Sequence, residues 1–512
     1  MKLAMVSIFS HKNMIKLAKH CGKEQNYKQM RTIKISYTQL LLIFGLALSS
    51  CNNFLDVKPE DKFLGNQVYN TEVGIYNVLN GIYIDMAERS LYGEYLSSVT
   101  MDVLAQYYTS DRNNDWYKYQ TYAWDDEGVK STFAGIWNTA YNKILGINAF
   151  IGSLEKSDIL AQDKKDLLTG EAIGLRALLH FDLLRIFGPI YATDSTVASI
   201  PYTTLTDLSV TPLLPANSVV DKILADLSTA ETLLQNDTVR TAGKVGELVG
   251  ELDDFFRARQ YRMNYFAVKA LEARVHLYRD NKAKAAKAAK AVINEASSFF
   301  PWTNRDDIFT DPTMKAADHV FSTEVLFGMD CYKLYNVYRA RFKYTLRNEK
   351  ILLPFSGRLE ETFENNTNDY RFEPCWRLAP VGAHGRTFVK FEDFTENGID
   401  APSFANYIPI IRLSEMYLIA AECESNETLA LSYLNTLRYN RGLNDLAPGT
   451  NITAELDKEY KREFWGEGQL FFYYKRNNKS KIPNGARPSG NINMSSTTYV
   501  VPIPDAEMEQ RN

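Results

Sequence analysis

The sequence predicts an all-α protein, a tetratricopeptide-like helical-repeat scaffold that carries long irregular insertions and few short strands. Two observations predict it. In residues 264–280, Phe266, Ala270, Ala273 and Leu277 form one stripe beside Ala267, Leu271, Val275 and Tyr278. After a turn at Asn281, a second helical pattern over 283–296 turns Ala285, Ala289, Val292 and Ala296 inward and lines a solvated face with Lys284, Lys287 and Lys290. Two helices, a tight turn and small residues at the crossing, in roughly 34 residues, match one tetratricopeptide-type repeat. The same grammar returns at 412–425, where Leu413, Met416, Tyr417 and Ala420 form a stripe, and at 427–441, closed by Gly442 as a C-terminal cap. Repeats of this kind build their core by stacking on neighbours. The second observation is residues 299–405 between the two units, rich in Pro, Asn, Asp and Tyr, with strand-like pieces such as 324–329. So long an irregular segment suits a functional surface laid over the helices.

Taken in order, the chain first presents the apolar run Leu40 to Leu48, preceded by Arg31 and Lys34 and ending in Leu48-Ser49-Ser50-Cys51. The run is too short for a spanning helix, which needs about 20 apolar residues, and has the length of a secretory h-region. Its end resembles a bacterial lipobox, in which the cysteine is acylated and becomes the new N-terminus. A complete signal begins at Met30, which is the expected start; residues 1–29 have no assigned role. Stable anchoring takes more than one acyl chain, and a tri-acylated Cys51, as in the lipoproteins this end resembles, meets that need.

Residues 52–61 contain Pro59 and no period, and read as an extended leader. A first helix is expected over 71–89 from Val73, Tyr76, Val78, Leu79, Ile82 and Ile84, with Thr71 as N-cap. Residues 107–127 break the pattern with an aromatic and polar stretch. A long helix follows, with Trp137, Tyr141, Ile144 and Ala149 near one face. The next runs over 165–187, with Leu168, Ala172, Leu175, Leu179 and Leu183 in one stripe, and stops at Gly188-Pro189. Residues 201–215 are a Pro- and Thr-rich loop, and Val219, Ile223, Leu227 and Leu234 mark a helix from about Ser218.

Residues 1–50 hold eight of the 58 Lys and Arg but one of the 62 acids, which leaves the chain from Cys51 with a net charge of −11. That balance disfavours nucleic acid, whose phosphates call for a basic stripe. Cys331, Cys375 and Cys423 have no CxxC spacing and form neither a disulfide framework nor a zinc site. No second apolar run reaches spanning length, so the membrane is expected to be met through the anchor.

Five stretches, spread over nearly the whole chain after Cys51, together resemble the SusD/RagB-like nutrient-binding lipoproteins of the Bacteroidetes outer membrane. They are Cys51-Asn-Asn-Phe-Leu-Asp56; Glu171 to Ala177 with Phe181 to Pro189; Arg412 to Glu422 with Leu434 to Arg438 and Arg441-Gly442-Leu443; Arg462-Glu463-Phe464 and Gly466 to Gln469 with Tyr474-Lys475-Arg476; and Val501-Pro502-Ile503-Pro504. Leu470 and Tyr473 stand where many members have Arg and Asp.

The resemblance implies four tetratricopeptide-like pairs whose insertions form a glycan site. It also implies a lipid-anchored protein exposed at the surface of the outer membrane, a lid over a SusC-like TonB-dependent transporter that binds oligosaccharide or polysaccharide for nutrient uptake. No covalent chemistry, cofactor or metal is implied. The rival cargo is peptide, as in the RagB branch, and a third reading is a structural lid with little ligand affinity of its own. The expected division is 1–50 leader and signal peptide, 51–70 tether, 71–298 N-terminal helical part, 299–405 loop-rich insertion with the ligand surface, and 406–512 C-terminal helical part.

A glycan site needs flat aromatics for the apolar C–H faces of sugars and amide, carboxylate or Arg groups for their hydroxyls. Trp116, Tyr117 and Tyr119 beside Asp111, Arg112, Asn113 and Asp115 have that composition, with Trp116 as the leading stacking platform. Tyr332, Tyr335 and Tyr338 with Asn336, Arg339 and Arg341 are the second group, although their spacing of three also fits a helix that buries tyrosine. Trp302 and Trp376 are isolated candidates, whereas Trp137, Trp465 and His180 read as core. The string Asp111-x-Asn113-x-Asp115 imitates a calcium loop, but Trp116 stands where the turn needs Gly and Tyr122 where an acid is needed. No G-x-S-x-G, H-E-x-x-H or Walker A string is present, so an enzyme is not expected.

Overall fold

A computed structural model describes residues 68–110, 112–246, 248–249, 254–309, 315–379 and 385–511. The expected signal, Cys51 and the tether up to residue 67 lie outside the described residues, as does Asp111.

Helices dominate, and several begin where a local side chain accepts from one of the first free N–H groups. Helix α1, Glu72–Met86, is capped by Thr71, whose hydroxyl accepts from the Gly74 N–H. After the single turn α2, Thr100–Leu104, come α3, Glu127–Lys156, capped by Asp126, and α4, Gln162–Phe187. Strands β1, Ala198–Pro201, and β2, Leu213–Pro215, form a small antiparallel ribbon. Helix α5, Ala216–Leu233, starts directly on Pro215, two residues before the expected Ser218, because Pro fixes the backbone there.

The repeat unit seen in the sequence is α6, Tyr265–Tyr278, and α7, Lys282–Ala296, capped by Asn264 and Asn281. Then follow β3, Val325–Asp330, α8, Leu334–Arg341, α9, Ser356–Phe363, and the ribbon of β4, Trp376–Leu378, with β5, Arg386–Phe388. Strand β6, Tyr407–Arg412, runs straight into α10, Leu413–Cys423, which is followed by α11, Glu427–Tyr439, α12, Ile452–Glu463, and α13, Leu470–Arg476.

Neighbours in sequence are neighbours in space: α3 packs on α4, α4 on α5, α5 on α6, α6 on α7, and α10 on α11. The second repeat unit joins the first directly, α10 lying against α7. The buried stripe of α3 runs through Phe133, Trp137, Ile144 and Leu154, while Ala149 faces solvent, a correction to the expected stripe. Arg412, expected inside a helix, closes β6, which pairs antiparallel with β3. In the last turn of α4 a lysine 287 to 290 residues further on takes the free carbonyls: Lys475 Nζ donates to the oxygens of Arg185, Ile186 and Gly188 at 2.8, 3.0 and 2.8 Å.

A buried charge network fastens the insertion to the C-terminal helices. Glu463, fully buried at the end of α12, accepts from Arg412 Nη1 at 2.5 Å, Arg441 Nη2 at 2.7 Å and Arg371 Nη1 at 2.9 Å. Arg441 also pairs with Glu324 at 2.7 Å, just before β3, and Arg371 pairs with Asp369 and Glu459. Gly442 leaves Arg441 with φ +75°, and a Cβ there would stand 2.2 Å from the Asn368 carbonyl oxygen, so the turn needs glycine.

Burial alone would raise the Glu463 carboxyl, but Arg441, Arg412 and Arg371 outweigh it and hold it well below the usual carboxylate range. The unfolded chain therefore takes up this proton first. The stabilisation is present above the ordinary carboxylate value and drains away as pH falls toward the folded one. Arg441→Met, which takes the close arginine partner from the buried Glu324 and one of three from Glu463, is expected to cost about 3–5 kcal/mol in urea unfolding. Glu463→Gln is expected to flatten the acid limb of the stability-against-pH curve; an unchanged limb would show that Glu463 titrates alike in both states.

Candidate functional site

The end of β3 positions the first wall of a cleft. Past Asp330, Cys331 donates its N–H to the Asn406 carbonyl at 2.7 Å and accepts from Leu334, which starts α8. Leu334, Val337 and Tyr338 face the core, so the spacing of three splits the tyrosines: Tyr338 is buried, while Tyr332 and Tyr335 are 55 % and 38 % exposed. Lys333 Nζ lies 4.7 Å from the Tyr332 ring centre and Arg339 lies 5.0 Å from that of Tyr335. Arg339 is held by Asp393 and by Glu396 at 3.1 Å.

The opposite wall follows α1. Its continuation is a distorted turn at Arg89–Gly93, with Leu91 outside helical geometry, and a Cβ at Gly93 would stand 2.3 Å from the Ala87 carbonyl oxygen. The turn delivers Glu88, Arg89 and Glu94 to a cleft of about 210 Å³ faced by Tyr332, Asn336 and Arg341. Every cation there has a carboxylate partner: Lys333 with Glu88 at 2.8 Å, Arg89 with Glu94 at 2.7 Å and Arg341 with Glu94 at 3.1 Å. The Glu88 hydrogen bond holds the Lys333 ammonium pKa above its usual value. Burial pushes the Cys331 thiol up to about 11, so it is protonated at neutral pH and no thiolate nucleophile lines the cleft.

Arg341 brings the two predicted groups together, because its guanidinium lies 5.2 Å from the Trp116 ring centre. Trp116 is not a platform in this conformation: it is 4 % exposed, lies 4.8 Å from the Tyr119 ring, and its Nε1 is buried without a hydrogen-bond partner. The cause is long-range stitching. Asn114 donates to the carbonyls of Asn348 and Ile351 at 3.0 and 3.3 Å, Asp115 pairs with Lys350 at 2.6 Å, and Thr109 donates to Leu353 at 2.7 Å. Tyr119 is half-buried, its hydroxyl 2.7 Å from that of Thr132; Tyr117 is half-exposed, and Arg112 and Asn113 are exposed.

Trp376 is buried in the core against Phe388 and Trp465, and Trp302 is half-buried by Tyr417 and Arg441, so neither lines the cleft. His180 is fully buried between the Arg176 carbonyl and the Thr203 N–H. Sequence reasoning missed Glu88, Arg89 and Glu94. The available signal was the charged and aromatic run Arg89-Ser-Leu-Tyr-Gly-Glu-Tyr95, which interrupts the helical period as residues 107–119 do.

Trp116→Ala is expected to destabilise the protein by about 3 kcal/mol or more in urea unfolding, since it empties a buried indole site. Unchanged stability would place the ring in solvent.

Two family models match the chain: one described as "Starch-binding associating with outer membrane" over residues 53–243, and one described as "SusD family" over 357–511. SusD-like protein P38 of Formosa agariphila is 26 % identical over 290 residues, 53 % of this chain and 47 % of that protein, so the match spans about half the length of that relative. A SusD superfamily protein of Bacteroides thetaiotaomicron superposes with TM-score 0.67 at 21 % identity, covering 86 % of this chain and 98 % of the other. A SusD-like carbohydrate binding protein of Bacteroides vulgatus gives 0.65 at 18 %, covering 86 % and 96 %. A laminarin binding SusD-like protein gives 0.61 at 17 %, covering 86 % and 97 %. With SusD-type family models matching both residues 53–243 and residues 357–511, the chain belongs to the SusD/RagB family.

Proposed function

We propose that this protein binds oligosaccharide at the surface of the outer membrane and serves as the lid of a SusC-like TonB-dependent transporter. The observation that carries the binding reading is the cleft between the Arg89–Gly93 turn and α8, where Tyr332 stands exposed beside Asn336 and Arg341. A pyranose C–H face stacks on a tyrosine ring, and amide, guanidinium and carboxylate groups hydrogen-bond the hydroxyls at its rim. The charges at the rim are paired with one another, so they offer directed hydrogen bonds to an uncharged sugar without leaving a buried charge uncompensated. Trp116 then acts from behind, holding Arg341 in place through its ring.

The names of two similar structures, carbohydrate binding and laminarin binding, support a glycan cargo. The outer-membrane description of the matching family supports the location. No described helix is long and apolar enough to cross a membrane. The cleft offers recognition rather than turnover: its two carboxylates are held in ion pairs and its thiol is protonated.

Calorimetric titration with laminarioligosaccharides and maltooligosaccharides tests the reading. Tyr332→Ala is expected to weaken binding of whichever series binds by about 1 kcal/mol or more, the scale of a lost stacking contact, with thermal stability unchanged because the ring is exposed. Unchanged affinity removes the cleft from the site, and binding of a mixed peptide pool in place of both sugars transfers the cleft to the peptide reading. In cells, labelling with a palmitate analogue is expected to be lost in Cys51→Ser; retained labelling places the anchor elsewhere.

A further inference from the structure

A second pocket, of about 370 Å³, opens between the segment after α2, helix α9, and helices α12 and α13. Its volume lies in the range of small-molecule sites, roughly 300–1,000 Å³. Trp465 and Tyr107, both buried and stacked on each other at 4.0 Å, close its back, with the Tyr107 hydroxyl donating to the Lys461 carbonyl at 2.7 Å. The charges around this pocket are arranged differently from those of the cleft. Arg358 pairs with Glu361 at 2.8 Å, and Glu364 is taken by Lys458 at 2.8 Å and Arg462 at 2.6 Å. Asp457, on the same helix as Lys461, is taken by Lys479 at 2.8 Å and by the Tyr473 hydroxyl. The part-buried Lys461 ammonium lines the pocket and has no hydrogen-bond or ion-pair partner among the described residues.

Burial lowers the Lys461 pKa, with Lys479 and Arg358 adding like charge, while Asp457 and Glu361 act against the shift from beyond ion-pair distance. A part-buried cation whose neighbouring carboxylates are all engaged is short of one anion, and a ligand carboxylate completes it.

We infer that this pocket is a second ligand site, separate from the cleft at α8, which takes the carboxylate of a sugar acid on Lys461. The anion follows from the unpartnered ammonium in its pocket; the choice of a sugar as its carrier rests on the glycan reading. An oligosaccharide with uronate residues, or a free uronate, carries this chemistry.

The test is calorimetric titration of the full soluble chain with glucuronate, acetate and glucose at low ionic strength, with laminarioligosaccharide titrated in parallel. Glucuronate is expected to bind, more weakly as salt is added, and Lys461→Met to lower its affinity at least about tenfold, the scale of a lost charge-assisted hydrogen bond. Lys461→Arg, which keeps the charge, is expected to retain most of the affinity, and circular dichroism reports whether each variant folds. Glucuronate that fails to bind, or binds Lys461→Met as tightly as wild type, overturns the site. Acetate that binds as tightly as glucuronate overturns the sugar acid and leaves a bare carboxylate site. Loss of glucuronate binding with laminarioligosaccharide retained sinks this inference alone, whereas failure of both sugars sinks the glycan reading with it.

Discussion

The structure depends on the Glu463 carboxylate. Three arginines from three parts of the chain converge on it: Arg371 from the insertion, Arg412 from the end of β6 and Arg441 from the turn after α11. Removing these charges from water is costly, and only their mutual pairing with full hydrogen bonding compensates. Through Glu324 the network also fixes the start of β3, whose far end carries Tyr332 and α8. The cleft at α8 is thus suspended from this charge cluster.

The same electrostatic reasoning separates the two pockets. At α8 every cation lies within ion-pair distance of a carboxylate, Lys333 on Glu88 and both Arg89 and Arg341 on Glu94. Beside α12 the carboxylates are consumed by Arg358, Lys458, Arg462 and Lys479, and Lys461 is left to a partner from solution. Both pockets carry one more cation than carboxylate in their lining; at α8 all the cations are ion-paired, whereas beside α12 Lys461 has no partner among the described residues.

What the sequence made legible was local. Thr71, Asn264 and Asn281 cap helices through their own first turns, Gly188 and Gly442 stop them, and the small residues of α7 mark where α6 crosses. What stayed hidden was set by distant partners. Arg412 reads as the first residue of the next helix, because its strand partner Val325 lies more than eighty residues away. Trp116 has the composition around it of a sugar platform, yet residues 348–353 and Arg341, more than two hundred positions later, bury it. Tyr332 and Tyr335 were legible as aromatics but not as the exposed members of a set whose third, Tyr338, faces the core. The opposing wall escaped because a broken helix end at Arg89–Gly93 looks in sequence like any other turn.

The most direct test of the central claim is a crystal structure of the protein with a bound laminarioligosaccharide or maltooligosaccharide. The account predicts a sugar ring across Tyr332 with its hydroxyls on Asn336, Arg341 or Glu88, and Trp116 still covered by Arg341. A sugar seated on a rotated, solvent-facing Trp116, or anywhere away from α8, would contradict it.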